Sequence, residues 1–355
     1  MRENLGKFVY LVVLSSLAYV APSQAATSIT DDMLRSLNVC TAPVKITRGT
    51  ISSRLPKGVK AEIITMESSS AWCGAVVAAL TFPDGSYFVG QPWFVADIMG
   101  SREDKLKQFA WQRLQESLTA TVDTAKASNG LSRVRLSRKT DYGDMIETGW
   151  MDQEGLVYIP GELHKAGEDL IKARQTEIAR VMGTAPTKGP APAKVTVVEF
   201  SDFECPSCKL AVSYMKPLMA KYSDRVKFVR IDLPLISHHP WAFPAALAGR
   251  AIYRQNPDLF WKYKDWVYAN QEDLSAFSIA DFAKNFVADN GLDVKKFESD
   301  VQSANLRKEI FEGINAATAI DIHGTPTFFV NGVSVDPGRG GEGMEKYITA
   351  KLAGK

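Results

Sequence analysis

Apolar and polar positions are most tightly patterned after residue 194, and there the order of elements is legible. Residues 195–200, Val-Thr-Val-Val-Glu-Phe, form a short β-rich run of the buried-strand type. A helix is expected from Cys205 to about Tyr222, then a second strand over 226–231. Residues 240–320 carry helical periodicity almost throughout, with stops at Pro257 and Gly291. Residues 327–330 and 333–335 flank Asn331-Gly332, a hairpin signal, and a last helix is expected near 342–352. Strand, helix, strand, helical block, hairpin and helix make an α/β domain over 195–355.

The first half is less regular and reads as an α+β domain over 26–182. It holds an internal echo: Pro83-Asp84-Gly85-Ser86-Tyr87-Phe88-Val89-Gly90 resembles Gln153-Glu154-Gly155-Leu156-Val157-Tyr158-Ile159-Pro160-Gly161. Each reads as a turn and a short strand, followed by a helical stretch near 103–119 or 166–182. A duplicated strand–helix unit is one reading; chance recurrence is the other. No acid, His or Cys cluster lies here, and His164 is expected at the surface. Residues 183–194, Gly-Thr-Ala-Pro-Thr-Lys-Gly-Pro-Ala-Pro-Ala-Lys, read as an extended linker and the main domain boundary.

The N-terminus changes the expected compartment. Arg2 and Lys7 outweigh Glu3, the apolar run 8–20 has 13 residues, and Ala21 to Ala25 supply small residues for cleavage. Residues 1–25 therefore read as a secretory signal peptide, too short in its apolar run for the roughly 20 residues of a membrane span. No cysteine sits at the cut site, and no later segment is apolar enough to span, so a soluble periplasmic protein is expected. The remainder is long enough for two domains. A formal net charge of +2 gives no case for nucleic acid or a membrane surface as partner.

Four cysteines in an exported chain favour pairing. Cys40 and Cys73 are expected to form a structural disulfide, the alternatives being buried free thiols or an intermolecular link. Cys205-Pro206-Ser207-Cys208 follows a strand and opens a helix. Structural zinc would need a second ligand pair at suitable spacing, which the sequence lacks. Redox chemistry needs only two thiols one turn apart, with helix N–H groups stabilising the first thiolate. Pro206 suits a first helical turn. Glu199, inside an apolar strand six residues before Cys205, could accept the Cys208 proton during exchange; the plainer reading is a Glu on a partly wet strand face.

Val198-Glu199-Phe200-Ser201-Asp202-Phe203-Glu204-Cys205-Pro206-Ser207-Cys208 and Gly324-Thr325-Pro326-Thr327-Phe328-Phe329-Val330-Asn331-Gly332 resemble the DsbA-like branch of the thioredoxin superfamily. The helical block between the second strand and the hairpin resembles that branch's insertion. The resemblance implies a thioredoxin fold with a helical insertion, catalysing thiol–disulfide exchange without an organic cofactor. Cys205 would be the exposed nucleophile and Cys208 the buried resolving thiol. Pro326 would be a cis-proline, with Pro206, Ser207 and Thr325 beside it at the substrate groove. Partners would be cysteine-containing exported proteins and a membrane redox partner that resets the pair. A domain ahead of the catalytic one is similar in architecture to the periplasmic isomerases DsbC and DsbG, which implies a homo-oligomer with the first domain as substrate platform.

Three features carry less. His238-His239-Pro240 is expected to cap and pack rather than bind metal. Gly338-Arg339-Gly340-Gly341-Glu342-Gly343 matches a dinucleotide fingerprint, but only one short helix follows, so it reads as a loop. Trp241, Phe260, Trp261 and Trp266 read as core. Rival functions are Cu(I) handling through Cys205 and Cys208, and a holdase chaperone in which redox is incidental.

Overall fold

A computed structural model describes residues 29–355 except 71, 126–128 and 323; the expected signal peptide at 1–25 lies outside the described residues. In chain order the first half comprises α1 (Asp31–Ser36), β1 (Asn38–Val39), β2 (Val44–Thr50), β3 (Lys60–Ser68), β4 (Ala75–Thr81), β5 (Tyr87–Gly90), β6 (Trp93–Phe94), α2 (Arg102–Phe109), β7 (Thr119–Val122), β8 (Leu131–Thr140), β9 (Gly143–Asp152), β10 (Val157–Pro160) and α3 (Leu170–Met182). The second comprises β11 (Thr187–Lys188), β12 (Val195–Ser201), α4 (Pro206–Lys221), β13 (Val226–Asp232), α5 (Ala242–Gln255), α6 (Pro257–Ala269), α7 (Ile279–Asp289), α8 (Val294–Val301), α9 (Ala304–Ala319), β14 (Thr327–Val330), β15 (Val333–Val335) and α10 (Glu342–Leu352).

The second half has the thioredoxin fold. Central β12 runs parallel to β13 and antiparallel to β14, and β14 and β15 form the hairpin around Asn331-Gly332. Both sheet faces must be covered, because β12 and β13 are buried along almost their whole length. Ala211, Met215 and Leu218 of α4, with Met344 and Ile348 of α10, cover Val195, Val197, Phe328 and Val330. On the other face Ile178 and Val181 of α3, with Ala316 and Ala317 of α9, cover Val198, Phe200, Val229 and Phe329. Gly313 lets α9 approach so closely that a Cβ there would lie 2.8 Å from the Asp232 carbonyl oxygen. Helices α5 to α8 form the insertion, its core holding Trp241, Phe260 and Trp261, with Trp266 stacked on Phe282 at 3.6 Å.

The boundary at 183–194 needs correction. Helix α3 belongs to the thioredoxin layer, because its apolar face fits β12, β13 and β14. Strand β1 pairs parallel with β15 at the sheet's edge. Within the expected linker, Thr187 and Lys188 pair with Val229 and Phe228, and Gly189 lies against the Val226 carbonyl. Proline and glycine content suggested a tether; edge pairing supplies the backbone partners that make it a strand.

The echo in the first half marks two similar units. Meander β2-β3-β4-β5 and meander β7-β8-β9-β10 are each followed by a helix, and Gly85 and Gly155 turn at φ +82 and +65. Each unit also receives backbone from the other. Phe94, after the first meander, pairs with Val157, and His164, after the second, pairs with Tyr87. When Gly85 is aligned with Gly155, these two pairs are the same pair with the units interchanged. Helix α2 follows the same rule: its Leu106 packs on Val134 and Leu136 of the second unit. At the start of α3, Leu170 packs with Ile64 and Val77 of the first. His164 is thus half-buried in this exchange and not a surface residue. The helix expected over 103–119 breaks after a π-turn at Ala110–Leu114, where Gln115 adopts φ +57.

Candidate active site

Helix α4 begins at the two cysteines. Cys205 is its N-cap, with extended φ/ψ, and Pro206 occupies the first turn, where its missing N–H leaves no carbonyl unpaired. The Cys205 carbonyl accepts from the N–H groups of Cys208 and Lys209 at 3.1 and 3.2 Å. Both cysteines are free thiols. Cys208 is fully buried, and Cys205 is only 6% exposed, so the nucleophile is more covered than the resemblance implied.

The Thr325–Pro326 bond is cis, and the Thr325 carbonyl lies 3.2 Å from Cys205 Sγ, where the neutral thiol donates to it. The Thr325 hydroxyl is buried beside Cys205. The hydrogen bond from Cys208 pulls the Cys205 thiol down to about 6 against the opposing effect of burial, and Thr325 and the Cys208 N–H add to that pull. Burial pushes Cys208 the other way, well above the ordinary thiol value, and the Cys205 and Glu199 charges reinforce it. One thiol is prepared to ionise and its neighbour to stay protonated.

Glu199 lies buried in β12, between Arg230 of β13 and Phe328 of β14. Its charge is felt at Cys208, Tyr214 and buried Lys264. No hydrogen bond joins it to Cys208 among the described residues. Cys40 and Cys73 are joined by a disulfide, Cα–Cα 6.0 Å, beside the β1 edge of the thioredoxin sheet. Next to that bridge Trp72 packs on Phe328 of β14, and Thr41 donates its N–H to Asp336 at 3.1 Å.

Other residues hold the site and were not picked out from sequence. Asp202 is buried and donates its N–H toward Cys208 Sγ at 3.5 Å. Its Oδ1 accepts from Glu204 N–H at 2.6 Å, and its Oδ2 from Leu235 N–H at 2.8 Å and His239 Nδ1 at 2.7 Å. Gln271 donates to the carbonyls of Phe203 and Cys205 at 2.9 and 3.2 Å. Tyr268 donates to the Asp202 carbonyl at 3.0 Å and meets Ser201. Glu204 accepts from Trp241 N–H at 2.8 Å, so the cap at α5 comes from Glu204 rather than from His238 or His239. Their signal in sequence was weak: polar residues crowded between a buried strand and the Cys motif, with partners far along the chain. No cluster of three or more metal-ligating side chains occurs among the described residues. The glycines at 338–341 form a short loop into α10, in which Gly341 lies against Tyr214.

The family model described as Thioredoxin matches residues 182–350. The probable disulfide bond formation protein D of Bacillus cereus is 31% identical over 175 residues, covering 48% of this chain and 79% of that protein. The Na(+)/H(+) antiporter NhaA 3 of Salinispora tropica is 36% identical over 145 residues, 41% of this chain; the chain spans only 21% of the antiporter's length. Oxidised BdbD from Bacillus subtilis aligns with a TM-score of 0.43 and 23% identity, over 48% of this chain and 95% of that one.

Proposed function

Because the chain belongs to the thioredoxin family, in the group that includes the Bacillus disulfide bond formation protein D, we propose that it is an exported thiol:disulfide oxidoreductase acting through Cys205 and Cys208. The observation that carries this reading is the placement of two free thiols at the start of α4, Cys208 fully buried and Cys205 Sγ 3.2 Å from the Thr325 carbonyl. In the oxidised form a substrate thiolate attacks Cys205 Sγ. The Cys205–Cys208 bond breaks, a mixed disulfide forms, and Cys208 leaves and takes up a proton. A second substrate thiolate then attacks the substrate sulfur and releases Cys205 as a thiolate. The substrate loses two electrons and the pair gains them.

The low Cys205 value favours donation of the disulfide, because a stabilised thiolate stabilises the reduced protein. Glu199 takes and returns the Cys208 proton in this reading, supported by its burial in β12 and by its charge acting on Cys208. Substrates are cysteine-containing periplasmic proteins, and a membrane redox partner resets the pair. Pro206, Ser207, Thr325 and Pro326 line the substrate side of Cys205. The first half serves as a fixed wall beside the site: its Tyr142 hydroxyl donates to the Pro240 carbonyl at 3.1 Å, in the loop that carries His239. Trapping tests the reading. Reduced Cys208→Ser protein mixed with a disulfide-bonded peptide is expected to accumulate a mixed disulfide at Cys205. Absence of that adduct, or its formation in Cys205→Ser, counts against it.

A further inference from the structure

The β13–α5 loop holds charge chemistry that exchange at Cys205 and Cys208 does not by itself require. Asp202 has a fully buried carboxylate, whereas the His239 side chain keeps 19% of its surface exposed. Three bonds tie the loop to the residues before α4: Leu235 N–H and His239 Nδ1 to Asp202, and Trp241 N–H to Glu204. Asp202 in turn reaches Cys208 through its own N–H. A carboxylate fixed there works against an anion on Cys205. A positive partner offsets that carboxylate, and His239 is the partner in contact with it.

We propose that His239, held by Asp202, is a positioning residue for the exchange reaction: its imidazolium cancels the buried carboxylate, so that His239 gaining a proton and Cys205 losing one are linked events. The inference rests on the reading of Cys205 as the exchanging thiol. The Asp202 bond holds His239 above the ordinary imidazole value despite its partial burial, and Cys205 and Glu204 act in the same direction. Other groups near the loop leave this sense unchanged. The Tyr142 hydroxyl binds Pro240 from the β8–β9 hairpin, and Ser237 contacts His238 at 2.9 Å. Glu116, paired with Arg138, faces the neighbouring residue His238 rather than His239. With rising pH, His239 loses its proton, Asp202 stands uncompensated, and the Cys205 anion is disfavoured. Linkage requires the reverse effect: a thiolate at Cys205 raises the His239 value, and the neutral disulfide does not.

The test uses the full chain in both redox states. The His239 imidazole, titrated by NMR, is expected to change protonation about half a unit higher in the reduced protein than in the disulfide form. Coincident titrations overturn the proposal without any variant. Iodoacetamide alkylation of Cys205 against pH supplies the second readout. His239→Gln is expected to move the profile up by about half a unit, roughly a threefold loss of thiolate on its acid side. Asp202→Asn is expected to move it down, and adding His239→Gln to that variant to change little further. A His239→Gln profile that overlays the parent, or shifts that simply add, overturns the proposal. Insulin turnover separates the two claims: linkage without catalysed exchange sinks the functional reading alone, and exchange without linkage sinks this one alone.

Discussion

Tyr142 lies nearly flat on Phe243, with ring centroids 4.4 Å apart and planes 12° apart. Tyr142 is in the β8–β9 turn of the first half, and Phe243 is fully buried in the first turn of α5. The stack therefore fixes the first half against the loop that borders Cys205. Replacing Tyr142 with Ala removes the stack and the bond to Pro240, and is expected to cost about 1–2 kcal/mol. Tyr142→Phe should lose the smaller part. Urea unfolding checks both; midpoints equal to the parent would mean the halves are not docked through this contact.

Glu199→Gln keeps the size of the side chain and removes its capacity to accept a proton. Folding should be preserved, and resolution of the mixed disulfide by Cys208, which loses its proton acceptor, should slow by about tenfold or more. Stopped-flow exchange between pH 6 and 8 measures it. Rates unchanged across that range would leave Glu199 a structural residue of β12.

The position of α3 makes a prediction about fragments. A 184–355 fragment lacks Ile178 and Val181, whose burial contributes roughly 3–6 kcal/mol, a large share of the usual stability of a domain. It also lacks β1. Loss of cooperative unfolding is expected, while a fragment beginning at residue 166 should unfold in one cooperative transition. Equal stability of the two would mean α3 is dispensable to the sheet.

The reciprocal pairing of Phe94 with Val157 and Tyr87 with His164 completes both units within one chain. With both units closed this way, a monomer is expected in place of the homo-oligomer that the two-domain order suggested. Light scattering on the purified protein should give the mass of one chain. A dimer mass would restore the shared-platform reading.

How much of this was legible in sequence follows from how local each cause is. Strands β14 and β15 could be placed because the Asn331-Gly332 turn signal acts over a few positions. Helix α4 was placed by Pro206 and the Cys spacing. The echo at Gly85 and Gly155 was visible, but the exchange it marks was not, since backbone pairing at Phe94 and His164 leaves no side-chain pattern. Strand β1 is two residues long and gains its pairing only when β15 is beside it. Asp202 and His239 meet through two loops whose courses depend on the surrounding packing, so their pairing had no periodic signal. Composition misled at 183–194, where proline and glycine fit both a tether and an edge strand.

In the reductive direction Cys205 attacks the substrate disulfide and Cys208 resolves the mixed disulfide. The most direct measurement is the rate at which the protein catalyses reduction of insulin by dithiothreitol, with Cys205→Ser and Cys208→Ser alongside. Acceleration is expected from the parent, none from Cys205→Ser, and from Cys208→Ser a stalled mixed disulfide with little turnover. Acceleration that survives Cys205→Ser, or a parent no faster than dithiothreitol alone, would contradict these roles.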